Sequence, residues 1–246
     1  MGEVDQTAGE GPGAGCYAPR DMTTPANTSF DSHCTLCPRL AEFLTAGKRQ
    51  YPQYHCAPVP PFGDPDAQLL IVGLAPGFHG ANATGRPFTG DYAGILLYET
   101  LHAFGLSTAP QSVAADDSLR LIGCRISNSV KCVPPGNKPL PAEIATCNRY
   151  LAHELAGVKE GTVLLALGAI AHGAVLRALG LKQSAFAFAH GAEHTLPRNL
   201  TMVDSYHCSR YNTNTRRLTT DMFRTVVARA AQLARGLSDY PLTPIP

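Results

Sequence analysis

Four cysteines have spacings that suit metal chemistry. Cys34 and Cys37 are two residues apart, and Cys132 and Cys147 follow about a hundred residues later. Thiolates are soft ligands for zinc or an iron–sulfur cluster. C-x-x-C with two further cysteines is equally a zinc pattern, so spacing alone leaves the two open. Cys16, Cys56, Cys124 and Cys208 fall outside this set and read as ordinary thiols. A second group of residues could handle a ligand: G-L-A-P-G (73–77) after an apolar run, S-N-S-V-K-C-V-P-P (127–135), and S-Y-H-C-S (205–209). Gly73 and Gly77 let the backbone approach a ligand closely, and Pro76 stiffens the loop. Neither G-x-G-x-x-G nor G-x-x-x-x-G-K-[ST] occurs, which argues against a nucleotide-phosphate cradle. The absence of G-x-S-x-G argues against an acyl-transfer elbow.

The elements that must position these residues alternate. Apolar runs at Gln68–Leu74, Leu119–Ser127, Thr162–Leu167 and Leu200–Ser205 predict strands. Helical patterns cover Thr35–Lys48, Tyr92–Phe104, Pro141–Leu155, Ala169–Leu179 and Thr215–Arg235. This order predicts an α/β fold: a three-layer α/β/α sandwich around a central, mostly parallel sheet. Ligands in such sheets bind beyond the carboxyl ends of the strands, where all three loops fall. One domain is expected over residues 31–238, with a Gly-rich tail at 1–30 and an irregular one at 239–246.

The chain has 246 residues, 44% hydrophobic and 16% charged, with net charge +1. Bulk charge therefore does not mark a nucleic-acid binder, and any such contact must use a local basic face. No run of eighteen apolar residues occurs and no signal-peptide layout opens the chain, so a cytoplasmic protein without membrane contact is expected. No heptads are evident, and a monomer is expected.

Five segments carry a resemblance: V-G-L-A-P-G (72–77), H-G-A-N (79–82), T-G-R-P-F-T-G-D (84–91), N-S-V-K-C-V-P-P (128–135) and S-Y-H-C-S-R-Y-N-T (205–213). In this order, with the cysteines among them, they resemble the uracil-DNA glycosylase superfamily over roughly residues 30–235. The cysteines point to its iron–sulfur branches, and Ala75 followed by G-A-N to the type 5 branch.

The resemblance implies a monofunctional enzyme that flips out and removes uracil, with hypoxanthine and xanthine as further substrates, from DNA containing deaminated bases. Phe88 would stack on the base, Asn128 would read its edge, and Gly73, Ala75 and Gly77 would line the pocket. His207 would donate to the departing base. Many relatives carry an acidic residue or Asn where Ala75 stands, so another side chain must place the water. Asn82 is the first candidate, with His79 and Asp91 beside it, although Asp91 reads equally as a helix cap.

Ser209, Arg210, Tyr211, Asn212 and Lys131 would contact DNA, joined by Lys138, Arg216, Arg217 and Arg224. Cys34, Cys37, Cys132 and Cys147 would hold a [4Fe–4S] cluster, with zinc as the alternative. Cys208 and Arg216 depart from the pattern, standing where relatives commonly have Pro and Gly. Two rival functions remain: a relative that binds damaged bases but cleaves poorly, and a zinc-stabilised α/β hydrolase.

Overall fold

The computed structural model describes Met1 and residues 29–236. Most of the two expected tails, and Cys16, lie outside the described residues. The elements in chain order are α1 (Pro38–Gln50), β1 (Phe62–Gly63), β2 (Leu69–Gly73), α2 (Ala81–Thr84), α3 (Tyr92–Ala103), β3 (Cys124–Asn128) and α4 (Pro141–Gly157). They continue with β4 (Val163–Leu167), α5 (Ala169–Ala178), β5 (Glu193–Thr195), β6 (Thr201–Ser205), α6 (Arg210–Asn214) and α7 (Thr220–Ala234). The sheet order is β1-β3-β2-β4-β6-β5. The inner strands β3, β2, β4 and β6 are parallel, and the two short edge strands pair antiparallel.

Alternation along the strands builds the layers. Leu69, Ile71, Leu165 and Val203 face one core, completed by Leu97 and Leu101 of α3 and by Phe223 and Val227 of α7. Leu70, Val72, Leu164 and Met202 face the other, against Leu151 and Leu155 of α4 and Val175 of α5. Burial on both faces explains why β2 and β4 read as unbroken apolar runs. A third, smaller core joins Leu40 and Leu44 of α1 to Val130, Cys132, Val133, Cys147 and Tyr150.

The expected three-layer sandwich is observed, with differences of detail. The strand expected over Leu119–Ser127 is shorter, because Gly123 turns at φ +62° and leaves only Cys124–Asn128 in the ladder. The final helix, expected from Thr215, begins only at Thr220, after the separate short α6. Arg216 takes φ +55°, and the Thr219 hydroxyl accepts from the Met222 amide to start α7 afresh. β1 and β5 span two and three residues, too short for any period-two pattern to show.

Leu165 is fully buried in the first core, whereas Ile95 on α3 is 52% exposed. Leu165→Ala should therefore cost about 2–5 kcal/mol. Ile95→Ala should stay within about 0.5 kcal/mol, both read from urea midpoints.

Candidate active site

The carboxyl ends of β2, β4 and β6 open into a cavity of about 570 Å³. Its walls include Ala75, Gly77, Phe88, Asp91, Gly168 and His207, and its rim includes Ser209, Arg210 and Tyr211. The Phe88 ring stacks on the His207 imidazole, with centroids 5.9 Å apart and planes 25° apart. Gly73, expected to line the pocket, is not on the cavity wall but lies against Phe88 and Asn128. A Cβ there would lie 2.4 Å from Asn128 Oδ1 and 2.7 Å from Phe88 Cζ, so only glycine lets the amide and the ring approach. Phe88, Asn128 and His207, brought from three distant segments, thus meet at one place.

Asn128 does not line the main cavity, but it adjoins it through Gly73 and Phe88. It is 2% exposed, and its Oδ1 has no hydrogen-bond partner among the described residues. A buried amide oxygen without a partner is costly unless something else binds it. His207 likewise has no ring-nitrogen partner among the described residues. Burial lowers its pKa to about 4, so the ring is neutral at pH 7 and keeps one N–H to donate.

Phe88 is held in an unusual backbone state. Its φ is +56°, which costs about 1–3 kcal/mol for a bulky residue. Several neighbours enforce it. The Tyr98 hydroxyl donates to Pro87 O at 2.9 Å. Gly94 has its Cα against the Phe88 carbonyl, which an added Cβ would meet at 1.7 Å. Arg86, buried beneath the loop, donates to Ser112 Oγ, Asp117 Oδ1 and Ala115 O, and its guanidinium lies 4.3 Å from the Phe62 ring centroid.

Asp91 does two things. Its Oδ1 accepts from the Gly94 amide at 2.8 Å and caps α3, as the plainer expectation had it. The residue also lines the cavity, where its Oδ2 faces Gly77 and Gly80. A Cβ on Gly80 would fall 2.4 Å from Asp91 Cβ, so this close approach too requires glycine. Burial pushes the Asp91 carboxyl up, and the amides of Gly94 and Ala93 pull it back in part.

Two expectations are corrected. Asn82 does not reach the cavity. The short α2 turn folds its side chain fully inward, where Nδ2 donates to Phe78 O at 3.3 Å and to Cys56 Sγ at 3.5 Å. Lys131 is no phosphate ligand. It is 1% exposed, and its Nζ donates to Glu154 Oε1 at 2.6 Å and to Ser127 Oγ. A buried ammonium needs such an ionic partner. Ser209 and Asn212 are largely occupied in shaping the loop. Ser209 Oγ caps α6 by accepting from the Asn212 amide, and Asn212 Nδ2 donates to His207 O at 2.8 Å. Arg210 stacks over the Tyr92 ring at 4.9 Å, and Tyr211 projects from the rim 72% exposed. His79 is exposed and hydrogen-bonded to Tyr54, away from the cavity walls.

Sequence reasoning missed Gly168, Ile170 and Tyr92 on the cavity wall. Gly168 carries a signal in hindsight: a glycine at φ +98° ends the β4 run and touches His207.

Cys34, Cys37, Cys132 and Cys147 converge on one small cavity between α1 and α4. Burial pushes the Cys132 thiol up to about 12 and Cys147 to about 11, and neighbouring thiolates add to both shifts. The Lys131 amide donates to Cys147 Sγ at 3.2 Å, and Arg39 donates to both oxygens of Glu143 across the same seam. Four thiols placed together without disulfides fit a site for a cationic centre, which would stabilise them as thiolates.

Taken together, the molecule is an α/β protein whose mostly parallel sheet presents an aromatic ring and a neutral imidazole to a ligand-sized cleft, with a buried amide adjoining the ring. Residues 60–231 match the family described as Uracil DNA glycosylase superfamily, and the chain belongs to that family. Similar proteins include the Type-5 uracil-DNA glycosylase of Thermus thermophilus, 48% identical over 206 residues, covering 82% of this chain and 94% of that one. Its counterpart in Pyrobaculum aerophilum is 41% identical over 203 residues, 81% and 88% of the two chains. A Type-4 enzyme of Archaeoglobus fulgidus is 29% identical over 153 residues, 61% and 69%.

The Arg86–Asp117 pair gives a test of how the Phe88 loop is held. Burial would raise the Asp117 carboxyl. Hydrogen bonds from Arg86 and from the Val113, Ala114 and Leu119 amides more than offset this and hold it at about 2. A depressed carboxyl stabilises the fold fully above its unfolded value near 4 and loses that contribution as pH falls toward 2. Asp117→Asn should cost about 2 kcal/mol at pH 6. Urea titrations should show the gap to wild type shrinking below pH 4.

Proposed function

We propose that this chain is a monofunctional DNA glycosylase that hydrolyses the N-glycosidic bond of uracil in DNA, and of deaminated purines such as hypoxanthine and xanthine. The observation that carries this reading is the meeting of Phe88 and His207 on the cleft wall, with the unpaired Asn128 amide oxygen adjoining them. The named activity of the type 5 relatives supports it. The catalytic unit is one domain over residues 31–238, acting as a monomer on DNA as the first step of base-excision repair. Among the described residues no helix is long and apolar enough to cross a membrane. DNA in the cytoplasm is the fitting target.

The residues suggest the following mechanism. The base leaves the stack, because its reactive bond is shielded in the duplex. Phe88 stacks against it and Asn128 offers a donor and an acceptor to its edge. As the glycosidic bond lengthens, negative charge grows on the base and positive charge on the sugar. The neutral His207 donates its N–H to a carbonyl oxygen of the base, stabilising the developing anion. A buried neutral donor suits this task, since it is already desolvated and oriented.

Water then adds to the sugar carbon, and its proton passes to solvent or to Asp91. Asp91 is the carboxylate on the cavity wall, and it replaces Asn82 as the residue that orients this water. Ala75 has no polar atom for that role and leaves the wall open. The cavity volume admits a purine as well as a pyrimidine. Arg210 and Tyr211 at the rim face the DNA backbone and the gap left by the extruded base.

Cys34, Cys37, Cys132 and Cys147 are the ligands of a [4Fe–4S] cluster with a structural role. The likeness of the four-cysteine pattern to the iron–sulfur branches of the family favours this over zinc. When bound, the cluster supplies a cross-link between α1 and the 132–147 segment.

Two experiments test these assignments. Single-turnover cleavage of uracil and hypoxanthine oligonucleotides should yield alkali-labile sites with wild type. His207→Ala should be slower by about 100- to 1,000-fold, with DNA binding retained. Because burial keeps His207 neutral, the wild-type rate should show no His207 transition near the ordinary imidazole value of about 6.5. Tight binding without cleavage by wild type would leave only a damage-binding protein. Separately, purified protein should be brown and carry about four irons per chain, and Cys147→Ala should lose both colour and iron.

A further inference from the structure

Behind β6, three polar side chains meet in the interior. Asp204 is fully buried, and its Oδ1 lies 2.9 Å from His172 Nδ1. Its Oδ2 lies 3.0 Å from His194 Nε2. The three residues come from β6, α5 and β5, and their donor atoms all fall within 4.8 Å of one another. Phe188 and Phe186 pack edge-on against the two imidazoles, at 5.6 Å from His172 and 5.8 Å from His194. Nothing in the glycosylase mechanism uses this group.

The hydrogen-bond arithmetic at His172 is informative. Its Nε2 lies 3.1 Å from Phe186 O, a carbonyl that can only accept, so Nε2 carries a hydrogen. Its Nδ1 faces a carboxylate oxygen, which when ionised is also only an acceptor. Two lone pairs cannot face each other at that distance in a dry interior. A cation must lie between them, either a proton or a metal ion.

We propose that His172 Nδ1, His194 Nε2 and the Asp204 carboxylate form a binding site for a divalent transition metal of the zinc type, separate from the cysteine centre. Three features support the metal. Both Asp204 oxygens face imidazole nitrogens, which brings three donor atoms from separate elements to one point. The Nε2–H to backbone carbonyl contact is the outer hydrogen bond that fixes a metal-binding histidine with its other nitrogen bare. Two imidazoles and one carboxylate are a donor set for zinc, with a fourth position left for solvent. His194, at 12% exposure against none for the other two, marks the side from which the ion enters. The site stands independently of the reaction assigned above.

The test uses untagged full-length protein with its iron intact, equilibrated with zinc and dialysed against metal-free buffer. Elemental analysis should find about one zinc per chain beyond the iron. Zinc-edge X-ray absorption should show nitrogen and oxygen neighbours at about 2.0–2.1 Å. His194→Phe, which places a ring of similar shape among Phe186 and Phe188, should lower the zinc about tenfold or more while iron and uracil excision stay unchanged. If that variant does not fold, the wild-type absorption spectrum decides alone. Three results would each overturn the site: no retained zinc, sulfur neighbours at about 2.3 Å, or nitrogen NMR showing both His172 ring nitrogens protonated in zinc-treated protein.

Discussion

The cleft depends on one backbone conformation. Phe88 can face Gly73, Asn128 and His207 because its φ is positive, and a phenylalanine does not choose that state unaided. The surroundings over-determine it: a tyrosine hydroxyl on the preceding carbonyl, a glycine under its own carbonyl, and a buried arginine fastened to the 112–117 loop. The strain resides in the loop, and the rigid sheet behind it supplies the stability to maintain it.

His207 is held by a different logic. Its carbonyl is tied by Asn212, and its Cβ lies against a glycine at the start of α5. Its ring has no protein partner among the described residues and lies on Phe88 in a desolvated wall. The same burial that stacks the ring also keeps it neutral. Packing and protonation are therefore one property here, and a change that opened the wall to water would alter both.

The sheet was legible because its inner strands are buried on both faces, which leaves continuous apolar runs such as Leu69–Val72 and Val163–Leu167. The site was legible as a set of strand-end loops for the same reason. What stayed hidden was side-chain direction. Lys131 is adjacent to Cys132 and Asn82 lies between the cavity residues Gly77 and Phe88, yet one turn of α2 and one buried glutamate direct them inward. The edge strands were too short to carry a period. The His172, His194 and Asp204 group was invisible because its members are 10 to 32 residues apart and meet only through the fold.

The third core has a consequence for how this molecule tolerates oxidative damage. α1 adds no strand to the sheet and packs in neither of the two main cores. Leu40 and Leu44, the Arg39–Glu143 pair and the cysteine quartet hold it in place. Oxidation of these four thiols by peroxide would loosen this one helix at its seam while both sheet faces remained covered. The injured form would be a folded body with a detached flap, open to proteases at a single locus.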